Sequence, residues 1–238
     1  MYKRLLVTLL ILLPYCISAQ NRKPQNLQNY DQKFLHFGFT VGTNLMGFRI
    51  TPSDNFNEMS EVYGIEVKTH PGIHLGPISN LRISDNFDLR ALIVLSFIQR
   101  DLIYKLAVDP TTQNAEFKTH IMQMETSFFE VPVYIKYKAD RINNYCPYML
   151  AGVNFKYDMA AQKSYKDDEL PKIRLKQMDI YSEFGAGVDF YLQYFKFAVE
   201  LKYAHGYSDN ILRDGTEYAN AFKRLQSNAV VFSLHFGG

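Results

Sequence analysis

The chain has 238 residues and a formal charge of only +2 at pH 7. That length fits one large domain or two small ones, and the lack of a basic excess excludes nucleic acid as the main partner. Aromatic residues make up 15%, all of them Phe and Tyr because Trp is absent, and such a load favours strands over helices.

The N-terminus reads as a targeting segment. Lys3 and Arg4 precede an apolar run from Leu5 to Leu13, Pro14 stops it, and Ser18-Ala19 supplies small residues before Gln20. This is the pattern of a cleaved signal peptide over residues 1–19. The apolar run is about half of what a bilayer span needs. Tyr15, not a small residue, stands before Cys16, which argues against lipidation. Cleavage leaves Cys146 alone, so the fold must stand without an internal disulfide. Residues 20–33 are polar and read as a flexible periplasmic leader. No other segment approaches the length of a transmembrane helix, so a membrane form of this chain would be a barrel.

From Phe34 to the end the hydrophobic pattern has period two. The first stretch sets Leu35, Phe37, Phe39, Val41 and Leu45 against Gly38, Thr40, Gly42 and Asn44. The second sets Ile73, Leu75, Leu81 and Ile83 against Gly72, His74, Gly76, Asn80 and Arg82. The third sets Phe87, Leu89, Ala91, Ile93, Leu95 and Phe97 against Asp88, Arg90 and Ser96, but Leu92, Val94 and Ile98 make its second face partly apolar. The fourth alternates Phe129, Val131, Val133, Ile135 and Tyr137 with Glu130, Tyr134, Lys136 and Lys138; Pro132 inside it implies a bulge. The fifth sets Met149, Ala151, Val153 and Phe155 against Tyr148, Gly152, Asn154 and Lys156. The sixth sets Ile180, Phe184, Ala186, Val188 and Phe190 against Glu183, Gly185, Gly187 and Asp189. The seventh sets Phe195, Phe197, Val199, Leu201 and Tyr203 against Lys196, Glu200 and Lys202. The eighth sets Val230, Phe232, Leu234 and Phe236 against Ala229, Ser233 and His235.

The connections alternate in length. Long ones lie near 49–70, 105–120, 158–177 and 206–226, and tight turns lie at 84–86, 141–144 and 193–194. Residues 34–238 therefore predict an all-β, antiparallel up-and-down transmembrane barrel of about eight strands, with short turns in the periplasm. A soluble barrel would bury its apolar face. Three features favour the membrane: glycines crowd the polar face, the charges there are of mixed sign, and bulky aromatics fill the apolar face. Buried charges must be paired. Glu130, Glu183, Asp189 and Glu200 are accordingly expected to pair in the lumen with some of Arg82, Arg90, Lys136 and Lys202. A lumen of this size is just wide enough for side chains, so open diffusion through it is not expected.

Chemistry is thin. A strand would put His70 and His74 on one face about 13 Å apart, too far for shared coordination. His205 and Asp209 invite comparison with rim hydrolases, but no nucleophile is marked beside them. Asp167-Asp168-Glu169 reads as a solvated loop, not a calcium cage. Cys146 lacks a His partner. No catalytic residue, metal site or cofactor is expected.

Several segments resemble the PorT/SprT family of Bacteroidetes outer-membrane barrels, associated with type IX secretion and gliding motility. They are Asn29 to Phe39, Arg141 to Tyr148 with Ala151-Gly152-Val153, Glu183 to Phe197, and Asp209 to Asp214. One departure is the end of the chain, where Gly237 and Gly238 follow Phe236 and displace the aromatic terminus common in such barrels. The resemblance implies a non-enzymatic outer-membrane protein needed for cargo transport. Its partners would be outer-membrane lipid and other outer-membrane or periplasmic proteins of the secretion system. A general envelope barrel with an adhesive or structural role, and a rim-located hydrolase, are the alternatives.

Overall fold

The computed structural model describes residues 25–53, 62–107, 117–160, 174–212 and 222–238. A 3-10 turn, Tyr30–Gln32, precedes the strands. These are β1 (Leu35–Pro52), β2 (Val62–Thr69), β3 (Pro71–Arg82), β4 (Phe87–Leu92), β5 (Val94–Ala107), β6 (Phe117–Lys138), β7 (Tyr145–Asp158), β8 (Arg174–Leu175), β9 (Met178–Tyr191), β10 (Lys196–Gly206), β11 (Ile211–Leu212) and β12 (Phe222–Gly237). β2 and β3 form one stave interrupted at His70, and β4 and β5 form another interrupted at Ile93. The result is an antiparallel ring of eight staves, closed because β1 pairs with β12 on one side and β3 on the other. Among the described residues no helix is long and apolar enough to cross a membrane; the strands provide the span.

The alternation sets the two faces. Phe37, Phe39, Ile73, Phe97, Met149, Phe155, Phe184 and Phe232 point outward and are exposed, while Thr40, Asn44, His74, Arg90, Lys136 and Glu200 point inward and are buried. Exposed apolar surface of this extent is favourable only against hydrocarbon. The apolar residues that blurred the third stretch are inside. Leu92 and Val94 pack with Ile78, Tyr134, Tyr148 and Leu150, and Ile98 packs with Met46, Phe128 and Tyr181.

The expected bulge at Pro132 is absent. Ala91 faces Val133 and Val94 faces Glu130 in one unbroken register, and Pro132 itself faces Asn154 on the other side. The missing N–H coincides instead with the break between β4 and β5. The bulge lies on another proline. Thr69 faces Arg100 while Ile73 faces Phe97, so one extra residue is inserted around His70-Pro71. It switches which side chains point out, and His70 and His74 consequently lie on opposite faces. His74 Nε2 meets Ser233 Oγ in the lumen at 3.1 Å, and His70 Nε2 meets Asp101 Oδ2 at 2.7 Å.

Toward the long-loop end the polarity inverts. On β1 the inward residues become Met46, Phe48 and Ile50, and the outward ones become Gly47, Arg49 and Thr51. β5, β6 and β12 invert likewise, so Leu102, Tyr104, Met124, Phe222 and Leu225 form an apolar core with Phe48 above the lipid-facing band. The small ribbon of β8 and β11 closes this end, with Ile211 buried in that core. Much of what reads as loop at 49–70 and 105–120 is therefore strand.

The other mouth is covered by the chain's own N-terminal segment. Residues 25–33, expected to belong to a flexible leader, find partners on the barrel. Asn26 N donates to Asn144 Oδ1 at 2.9 Å, Tyr191 OH donates to Asp31 Oδ1 at 2.7 Å, and His36 Nε2 donates to the Tyr30 carbonyl at 2.7 Å. The Arg141 guanidinium lies 3.6 Å from the Tyr191 ring centre and also reaches Asp31. Tyr30 is buried with Cys146 and Tyr191. Burial, then the charges of Asp189 and Asp31, hold its phenol above its ordinary pKa. Residues 1–24, the expected signal and the start of the leader, lie outside the described residues.

Candidate functional site

The interior is the chemically richest part of the molecule, and period two builds it. Every second residue of each stave enters a closely packed interior, so each charge there needs a partner. Glu200 on β10 is the hub. Arg90 Nη1 donates to its Oε2 at 2.5 Å and Tyr148 OH donates to the same oxygen at 2.7 Å, while Lys202 Nζ and His235 Nε2 lie 3.4 and 3.2 Å from Oε1. Lys136 Nζ meets Asp189 Oδ2 at 2.7 Å, and Lys196 Nζ is 3.3 Å from the same oxygen. Glu183 accepts from Tyr134 OH at 2.5 Å and from Asn154 Nδ2 at 2.6 Å, with Lys202 Nζ at 3.9 Å.

Three of the four carboxylates named from sequence thus meet cations named from sequence. Glu130 does not. Its partner is Lys156 Nζ at 3.3 Å, with Asn154 Nδ2 donating at 2.7 Å. Arg82 stays out of the network. It sits beside the turn and pairs with Asp85, whose side chain is 87% exposed; at the last position of β3, water reaches it. Sequence reasoning also passed over Lys138 with Asp88 at 2.8 Å, although both lie on the polar rows. It missed Arg100, two positions beyond the apolar Ile98, whose guanidinium lies 4.1 Å from the Phe48 ring centre and donates to Ser227 and Thr126 hydroxyls at 3.1 Å. Among the described residues, the inward-facing cations Arg90, Arg100, Lys136, Lys138, Lys156, Lys196 and Lys202 are matched in number by Asp88, Glu130, Asp158, Asp179, Glu183, Asp189 and Glu200.

Small residues make this packing possible. A Cβ on Gly187 would lie 2.5 Å from Tyr148 Cζ, and one on Gly42 would lie 2.5 Å from His74 Cε1. Each glycine is the seat of a ring from a neighbouring stave. The interior cavity beside His74, Glu130, Asn154 and Lys202 measures about 20 Å³, room for roughly one water. The purified barrel in a planar bilayer should therefore show no large, steady conductance; an open-channel current would refute the filled lumen.

The other chemical candidates come apart. His205 Nδ1 donates to Asn228 Oδ1 at 2.9 Å, whereas Asp209 Oδ1 accepts from the Leu225 amide at 3.0 Å. Cys146 is buried and donates to the Ala139 carbonyl at 3.2 Å. Among the described residues no group of three or more His, Cys, Asp or Glu is placed to hold a metal. Asp167-Asp168-Glu169 lies outside the described residues.

No curated relative matches the chain in sequence. Among solved structures, it is similar to the outer membrane protein OprG of Pseudomonas aeruginosa at 12% identity, over 85% of this chain and 91% of that one, with a TM-score of 0.45. It is similar to Neisserial surface protein A at 14% identity, over 84% and 95%, with a TM-score of 0.40. It is also similar to Ail, the attachment invasion locus protein of Yersinia pestis, at 9% identity, over 85% and 98%, with a TM-score of 0.38. The family model described as "Outer membrane protein beta-barrel domain" matches residues 18–212, so with its closed ring, lipid-facing exterior and charge-filled interior the chain belongs to the outer-membrane β-barrel family of that description.

Proposed function

We propose that this barrel is a non-catalytic accessory of type IX protein secretion, acting through its surfaces and not through a pore or an active site. The observation that carries the reading is the filled lumen, closed at one end by the β8–β11 ribbon and at the other by residues 25–33. Folded cargo cannot pass it, so a role in transport must be exercised against other proteins. The resemblance of residues 29–39 and 209–214 to the PorT/SprT barrels supplies the process, which a fold alone cannot. On this reading residues 1–19 are an export signal removed on the way. The partners are then outer-membrane or periplasmic components of the secretion system, and gliding motility is affected where it depends on the same cargo. Deleting the gene should strand cargo in the periplasm while outer-membrane permeability stays normal. A deletion strain that secretes its cargo normally would overturn the assignment and leave the general envelope barrel in its place.

A further inference from the structure

We infer that the outer face of β9, β10 and β12 is a binding site for a phosphate-bearing membrane lipid, its chains in an apolar groove and its headgroup on a basic rim. The inference rests on the outer-membrane placement of the barrel and is independent of any role in secretion.

The groove is a depression of about 700 Å³ in the lipid-facing wall. Ala151 and Ala186 form its floor, and Ile135, Met149, Phe184 and Tyr203 stand around it. Such a hollow inside the apolar band opens only to hydrocarbon. A neighbouring acyl chain fills it with close contacts that a flat wall does not offer.

The registers place a polar rim at one end of this groove. Phe184, Tyr203, Val230 and Leu45 stand side by side in one outward row across β9, β10, β12 and β1. The next outward row toward the long loops is Ser182, His205, Asn228 and Gly47. Successive outward positions on a strand are about 7 Å apart, which is the step from acyl chain to ester and glycerol level. The row beyond carries Arg49 facing Gln226, and Arg224 follows on β12 facing Thr51.

The polar groups are held and partly free. Ser182 Oγ donates to Tyr207 OH at 3.1 Å, which leaves the phenol proton for a ligand. His205 Nδ1 is engaged with Asn228, which leaves Nε2 for a ligand. Arg224 Nη2 donates to the Tyr207 carbonyl at 2.8 Å, drawing the guanidinium over this cluster, and both Arg224 and Arg49 are exposed. The outward positions of β1, β9, β10 and β12 around the rim carry no carboxylate among the described residues, and Asp209 is turned to the Leu225 amide. A phosphate on two guanidinium groups, with hydroxyl and imidazole partners below, matches this charge pattern.

The test uses the full mature barrel in detergent and native mass spectrometry. The probes are phosphatidylglycerol, a diacylglycerol with the same chains, and glycerol phosphate. Phosphatidylglycerol should be retained about tenfold better than diacylglycerol, given two basic residues at the headgroup. Glycerol phosphate should not be retained. Arg49→Gln with Arg224→Gln should bring phosphatidylglycerol down to the diacylglycerol level, and Ala186→Phe should lower retention of both lipids by filling the groove. Equal retention of the two lipids, wild-type retention by the arginine variant, or binding of glycerol phosphate alone would each overturn the site. If Ala186→Phe does not fold, the arginine variant decides, since its side chains are exposed.

Discussion

Removing the Glu200 carboxylate should cost the barrel about 3–5 kcal/mol, because the loss strands buried charges. Arg90, Lys202 and His235 all face this side chain, and Tyr148 donates to it. The variant to make is Glu200→Ala, compared with Glu66→Ala. Glu66 also meets a lysine, Lys105, at 2.5 Å, but both side chains are about half exposed, at 60% and 46%. An exposed pair of that kind contributes about 0–1 kcal/mol. Urea unfolding of refolded protein in lipid vesicles, followed by the mobility shift on unboiled gels, measures both. Comparable losses would mean that the interior is wet and the network ornamental. Replacing Arg90 and Glu200 together by Met and Leu should recover much of the loss, since removing both partners leaves less unpaired charge than removing one.

The second large effect concerns a single methyl group. Gly152→Ala should stop the barrel from reaching its heat-modifiable form, or weaken it by about 3 kcal/mol, the upper end of ordinary overpacking. The added Cβ would lie 2.0 Å from the Val133 carbonyl oxygen and 2.7 Å from Tyr134 Cα. Those atoms are backbone of the paired strand β6, where Tyr134 faces Gly152, so relief requires prising the ladder apart. Gly64→Ala is the comparison. Its nearest neighbour would be Lys105 Cδ at 3.9 Å, and the change should stay within about 0.5 kcal/mol. If both glycines accept alanine equally, close strand approach is not what position 152 demands.

Sequence periodicity reached far into this fold because one chemical contrast, lipid outside and charge inside, is written on alternate residues of every stave. It failed where that contrast reverses. Between Leu45 and Arg49 the chain continues as strand, but water replaces lipid as the outer solvent and the apolar side chains Met46 and Phe48 now face inward. A pattern that changes phase looks like the end of a strand, so the outer parts of β1, β2, β5, β6 and β12 read as loops. The prolines misled for a related reason. Pro132 occupies an inward position within a continuous register, whereas the inserted residue lies beside Pro71, and only pairing partners distinguish the two. The lumen pairs were legible by parity but not by partner. Which carboxylate meets which cation depends on stagger around the ring, so Glu130 reaches Lys156 on the adjacent stave and none of the cations expected for it.

The N-terminal segment sets an order of events. Tyr30 lies beside Tyr191 of β9, its ring is 4.8 Å from Lys196 Nζ of β10, and its hydroxyl stands where a side chain on Gly237 of β12 would be. Asn26 and Asp31 reach residues 110 to 165 positions further along the chain. Such distant partners come together late, after the loops between them have closed. The first described residues of the chain are thus among the last to settle, because their seat includes the final strand. Until β12 has paired, that seat is incomplete, so the burial of Tyr30 distinguishes a finished barrel from an unfinished one.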